Sequence, residues 1–240
     1  LIIRDDPATP PIVTEFSRAH IFSCDEMWQG ITINVGGTLE INGQQSGSDS
    51  FCKIENAITA VNALGNGAST GEPTISLTSV TFSNNLIPIY LDDDDFGTTL
   101  IRSCNFECIN EFLTKEPHLG VYPQQHILLE DVSEVNIGLG GARLNKFYDV
   151  YSGINLISSS AFITKSEFVN LKNNNVSPPE KGIGIVAENM TSTACTLDVD
   201  SRFSNLHTGI LSVGNFNVNI HDQFDSRYFR DIDDIGISIN

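Results

Sequence analysis

The chain has 240 residues, 40% of them hydrophobic and 18% charged, which is a globular composition and long enough for one elongated domain with a large core. Thirty acidic residues against 13 basic ones leave a formal charge of -17, so the surface repels phosphate backbones and nucleic-acid binding is not expected. No apolar run reaches bilayer-spanning length, and no transmembrane segment is expected.

Residues 1–27 are irregular, with Pro7, Pro10 and Pro11, and read as a cap or lead-in that would cover exposed strand edges. From Trp28 the pattern changes. Gly30-Ile31-Thr32-Ile33-Asn34-Val35 alternates apolar and polar, Gly36-Gly37 turns it, and Leu39-Glu40-Ile41 resumes before Asn42-Gly43. Further on, phenylalanine recurs in one local setting: Val80-Thr81-Phe82-Ser83-Asn84, Cys104-Asn105-Phe106-Glu107-Cys108, Ser166-Glu167-Phe168-Val169-Asn170, Ser201-Arg202-Phe203-Ser204-Asn205 and Asp222-Gln223-Phe224-Asp225.

The residues before each phenylalanine define a corner. Ile75, Leu77 and Val80 precede Phe82 by seven, five and two positions; Thr99, Ile101 and Cys104 precede Phe106 in the same way, as do Ala161, Ile163 and Ser166 before Phe168. Two inward residues, one extra residue, then two more inward residues describe a strand that turns and continues. Before Phe203 stand Leu197, Val199 and Ser201, at six, four and two, so the corner is lost or shifted there. Asn84, Asn170 and Asn205 follow their phenylalanines by two positions and fit the corner, since Asn tolerates left-handed backbone geometry.

A Gly-Ile pair recurs at Gly30, Gly153, Gly182, Gly209 and Gly236, the last two intervals both being 27 residues. Short alternating strands with a period in the twenties mean coils stacked on one another, each too small to be stable alone. The expected fold is all-β, a single-stranded right-handed parallel β-helix over residues 28–240, continuing beyond this segment of a longer polypeptide. Excursions are expected at residues 65–73, 92–97, 111–125 (a short helical arm) and 172–181, and such loops are where function is first sought.

The run from Met27-Trp28-Gln29-Gly30-Ile31 through Gly36-Gly37-Thr38-Leu39-Glu40-Ile41 and Ile54-Glu55-Asn56-Ala57-Ile58-Thr59-Ala60-Val61 to Val80-Thr81-Phe82-Ser83-Asn84-Asn85 resembles the right-handed parallel β-helix modules of large bacterial cell-surface proteins exported by the type IX secretion system. The resemblance covers most of the chain from Trp28 onward. It implies a secreted or surface-exposed protein and no particular reaction.

Right-handed β-helices also host pectate lyases, polygalacturonases and tailspike glycosidases. The chain has no Asn-Thr-Asp, Gly-His-Gly or Arg-Ile-Lys set and no Arg-x-Pro-x-x-Arg. Aligning Phe203 on Phe224, a shift of 21 residues, stacks Asp200 on His221, Asp198 on Asn219 and Arg202 on Gln223. With Leu197 and Val199 inward, Asp198, Asp200 and His221 would share one solvent face, as an acid–base set for glycosidic cleavage or as an ordinary cross-coil pair. Asp92, Asp93, Asp94 and Asp95 form an acidic turn, either solvated or holding calcium, the one cofactor considered. His20, His118, His126 and His207 are expected in ordinary surface or corner positions, with His126 opening a strand.

Cys24, Cys52, Cys104, Cys108 and Cys195 are odd in number and contain no CxxC pair, which disfavours a zinc site. Cys104 and Cys108 flank Phe106 on one strand face and are expected as buried thiols, a single bridge between neighbouring coils being the other arrangement. The only tryptophan, Trp28, lies far in sequence from the Asp198 cluster, which weighs against an aromatic sugar platform there. The expectation is a non-catalytic stalk or adhesin-like scaffold binding polysaccharide or another surface protein; the alternative is a polysaccharide lyase or glycoside hydrolase working on a sheet face.

Overall fold

The computed structural model describes residues 1–3, 13–43, 45–46, 49–50, 52–65, 73–94, 99–110, 112–173, 180–221 and 229–239. Among them there is no helix. One 21-stranded sheet winds about an axis, and all its ladders are parallel, each strand inside the stack pairing with the strand one coil before and one coil after. The chain is a right-handed parallel β-helix.

Three faces enclose one core. The first face stacks Val13–Ser17, Thr38–Asn42, Thr74–Thr78, Thr99–Arg102, Val135–Ile137, residues 161–164, residues 195–199 and Phe216–Ile220. The second begins with His20–Ile21, Cys52–Glu55, Val80–Ser83, Asn105–Glu107 and Asn145–Phe147. The third runs from Ile2–Ile3 and Ile31–Ile33 through Thr59–Leu64, Ile87–Asp94, Gln125–Val132 and Ser152–Ile157 to Ile183–Asn189. Within residues 1–27, Ile2–Ile3, Val13–Ser17 and His20–Ile21 are paired into the first coil.

The phenylalanines form the expected inner column on the second face. Phe82, Phe106, Phe147, Phe168 and Phe203 are at most 1% exposed. From Phe82 to Phe229 the rings stack with centroids 4.6–5.0 Å apart and planes within 9°. That spacing is the distance between neighbouring strands, so each ring meets the next in offset contact. Full burial of each contributes about 1.5–3 kcal/mol. Two members differ from the sequence reading. Phe147, which that reading missed, sits between Phe106 and Phe168. Phe229 pairs with Phe203 in the place expected for Phe224, which lies outside the described residues.

Left-handed residues mark both ends of this face. Arg18, Ser79, Ser103 and Lys165 stand three positions before Ile21, Phe82, Phe106 and Phe168, each with φ between 42 and 57°. Asn56, Asn84, Asp149, Asn170, Asn205 and Asp231 stand two positions after the column residue, with φ between 53 and 59°. Asn and Asp are the side chains that adopt this geometry at least cost. Asn205 Nδ2 also donates to Asn170 Oδ1 at 2.5 Å, so the corner amides stack.

The glycine repeat has a different register from the one its spacing suggested. Ile154, Ile185, Ile210 and Ile237 align, so the stacked glycines are Gly153, Gly184, Gly209 and Gly236, while Ile183 aligns with Thr208. The reason is steric. A Cβ on Gly153 would lie 2.5 Å from Phe168 Cδ1, and one on Gly184 2.6 Å from Phe203 Cδ1. At Gly153, Gly184 and Gly209 the phenyl column leaves no room for a methyl group opposite it.

The expected helical arm is instead a chain of turns over residues 112–124, folded back on the first coil. Met27 N donates to the Glu116 carbonyl at 2.7 Å, Lys115 Nζ donates to the carbonyls of Ser23 and Cys24, and Leu113 and Tyr122 are buried. Pro117 and Pro123 lack backbone N–H donors, which disfavours a continuous helix through this segment. At the base of the last excursion Lys172 and Asn173 pair antiparallel with Lys181 and Glu180. Cys52, Cys104, Cys108 and Cys195 are buried, Cys24 is exposed, and none is bridged; burial pushes the Cys104 thiol up to about 12.

Candidate functional site

Leu197 and Val199 point inward, so Asp198 points outward, in register with Asn219. The His221 amide donates to the Val199 carbonyl at 2.9 Å, and its Nε2 donates to Asp198 Oδ1 at 2.8 Å. The imidazole reaches diagonally to Asp198. His221 is about half exposed, which makes this a solvated pair of small energetic weight.

Asp200 corrects the sequence reading. It is 8% exposed and does not lie open on the sheet face. The cause is the shortened corner. Thr164 pairs with Asp200 and Glu167 with Arg202, so two residues, Lys165 and Ser166, face only one, Ser201. Ser166 and Ser201 are both buried beneath it, donating to the carbonyls of Thr164 and Ile163.

The mismatch between these coils coincides with a cavity of about 200 Å³, lined by Ala142, Arg143, Leu144, Lys165, Ser166, Asp200, Ser201 and Arg202. Lys165 Nζ donates to the Gly141 carbonyl at 3.0 Å. Among the described residues no hydrogen bond or ion pair engages the guanidinium of Arg143 or of Arg202. Arg202 also borders a second cleft, of about 430 Å³, with Glu167, Asn170, Ser204, Asn205 and Arg230. Sequence reasoning missed Arg143 and Lys165; their signal was the change of offset before Phe203.

A second charged group lies on the outer second face, where Glu55, Ser83 and Glu107 share one row. Burial pushes the Glu55 carboxyl up, but the hydrogen bond and charge of Lys53, with His20 beside it, more than offset this and hold it below its ordinary value. Burial raises Glu107, against the pull of Lys53.

Asp92 and the backbone of Asp93 and Asp94 belong to the strand Ile87–Asp94, not to a turn, and Asp92 pairs in register with Glu130; Asp95 lies outside the described residues. Among the described residues no group of three or more His, Cys, Asp or Glu is placed to hold a metal ion. His126 is buried at the start of its strand rather than at the surface, whereas His20, His118 and His207 keep at least partial exposure. Among the described residues no helix is long and apolar enough to cross a membrane.

The fold and these outer rows define the class: a parallel β-helix with charged side chains arrayed on its faces and corners. Comparison with protein-family models, curated proteins and solved structures gives no match.

Proposed function

We propose that the chain is a non-catalytic binding scaffold, secreted or displayed at a cell surface, that holds polar side chains in fixed rows for a carbohydrate or a partner protein. The reading draws on its resemblance to surface β-helix modules. One observation carries it: His221 is taken up by Asp198 in an exposed pair while Asp200 is buried at the corner, so the three are not presented together on one open face. A second reading, polysaccharide cleavage, draws on Glu55 and Glu107, two carboxyls on one row whose environments push their proton affinities in opposite directions.

The test is incubation with neutral and acidic polysaccharides, with and without calcium, monitoring bound polymer, new reducing ends and unsaturated products. Binding without turnover is the expected outcome. Turnover abolished by D200N or E107Q would establish an enzyme instead. A calcium requirement for binding, lost on substituting Asp92 and Asp93, would restore the acidic run as a metal site.

A further inference from the structure

Resting on that scaffold reading, we propose that the corner between the first and second faces is a subsite for the anionic groups of an acidic sugar chain, with Arg143, Lys165 and Arg202 binding successive carboxylates or sulfates. The three residues belong to consecutive coils, those of Phe147, Phe168 and Phe203. They line one cavity. Arg102 holds the same corner one coil earlier, its Nε donating to Thr78 Oγ1 at 2.9 Å.

The charge arrangement is unusual for this chain. Acidic residues outnumber basic ones 30 to 13, so carboxylate partners for arginine are abundant. Yet the guanidinium groups of Arg143 and Arg202 engage none among the described residues, and both side chains are exposed. Guanidinium presents a planar fork of donors matched to carboxylate and sulfate oxygens. The Asp200 carboxylate at the cavity keeps the site from being uniformly positive. Ser204, Asn170 and Asn205 along the adjoining cleft add neutral hydrogen-bonding groups.

A sugar polymer suits the site better than an acidic peptide. Arg143 and Lys165 stand four and three positions before their column phenylalanines, whereas Arg202 is in register with Glu167 on the second face, so the three cations surround one cavity and are not stacked in a single row. Rings that carry both anionic groups and hydroxyls can meet these cations together with the neutral Ser204, Asn170 and Asn205. A peptide also gains affinity by adding to a free sheet edge, and these coils are paired on both sides.

The experiment is isothermal titration of the folded chain with polygalacturonate, dextran sulfate, neutral dextran and poly-glutamate, at two salt concentrations. The wild type is expected to bind one of the two acidic sugars, the better of them identifying carboxylate or sulfate, and to weaken as salt rises. R143Q/R202Q should lose about tenfold or more in affinity, with an unchanged circular dichroism spectrum and melting temperature. K115Q/K181Q, which removes two positive charges elsewhere, should bind as the wild type does. Acidic-sugar binding unaffected by R143Q/R202Q, or equal binding of neutral dextran, overturns the subsite and leaves the scaffold standing. Tighter binding of poly-glutamate than of either acidic sugar replaces the sugar chain with an acidic protein. Failure of the wild type to bind any of the four probes overturns the subsite alone if it binds another glycan, and removes the carbohydrate reading with it if it binds none.

Discussion

The imidazole of His126 packs against the ring of Phe106, with centroids 5.7 Å apart, in the row that Gly153 occupies one coil later. Its Nε2 donates to the Tyr148 carbonyl at 2.7 Å, while Nδ1 is buried without a hydrogen-bond partner. Burial lowers its pKa to about 4 from an ordinary 6.5. The unfolded chain therefore binds a proton between these values that the folded one does not. The stability due to the neutral imidazole is complete above pH 6.5, falls as pH drops below it, and levels off below about 4. The full change is about 3 kcal/mol. Urea denaturation across this range should show it, and the difference between wild type and H126A should carry the same pH dependence.

Gly184 and Phe203 make the second prediction. A methyl group at Gly184 would lie 2.6 Å from the ring and 2.5 Å from the Gly209 carbonyl oxygen. G184A should cost about 1–3 kcal/mol by overpacking, and F203A about 3–5 kcal/mol through the cavity it leaves. Because the clash in part needs the ring, the double variant should be less destabilised than the sum of the two, as read from denaturant midpoints.

Asn145 lies inside the stack. Its Oδ1 accepts from the Cys104 amide at 2.8 Å, and its Nδ2 donates to the Ile101 carbonyl at 3.2 Å. N145A strands two buried backbone groups, at about 1–3 kcal/mol each. Thermal unfolding should show a loss of that order. N145D, which keeps an acceptor but buries a charge, should not recover it at neutral pH.

The Asp198–His221 pair should matter little. H221Q is expected to change stability by less than about 1 kcal/mol, as for other exposed ion pairs. A larger loss in a denaturation experiment would mean that the pair organises the last coil.

Much of the fold was legible in the chain because inward and outward residues alternate locally. The offsets before Phe82, Phe106 and Phe168 marked inward positions that are all buried, and the asparagine two residues later marked a corner with left-handed φ. Phe147 was hidden because the excursion after Cys108 lengthens the interval from Phe106, and a parallel ladder senses register, not the length of chain between its strands. Gly182 and Gly184 are two residues apart and have the same strand parity, so alternation cannot choose between them; the approach of the Phe203 ring does.

What the sequence alone determined is the inward set and the corner chemistry, both governed by neighbours within a few residues. Which coil lies on which was decided only in three dimensions, where ring stacking and backbone pairing select one register among several compatible with the pattern. That choice buried Asp200 at the corner, gave Phe229 the place expected for Phe224, and gathered Arg143, Lys165 and Arg202 from three separate stretches of chain around one cavity.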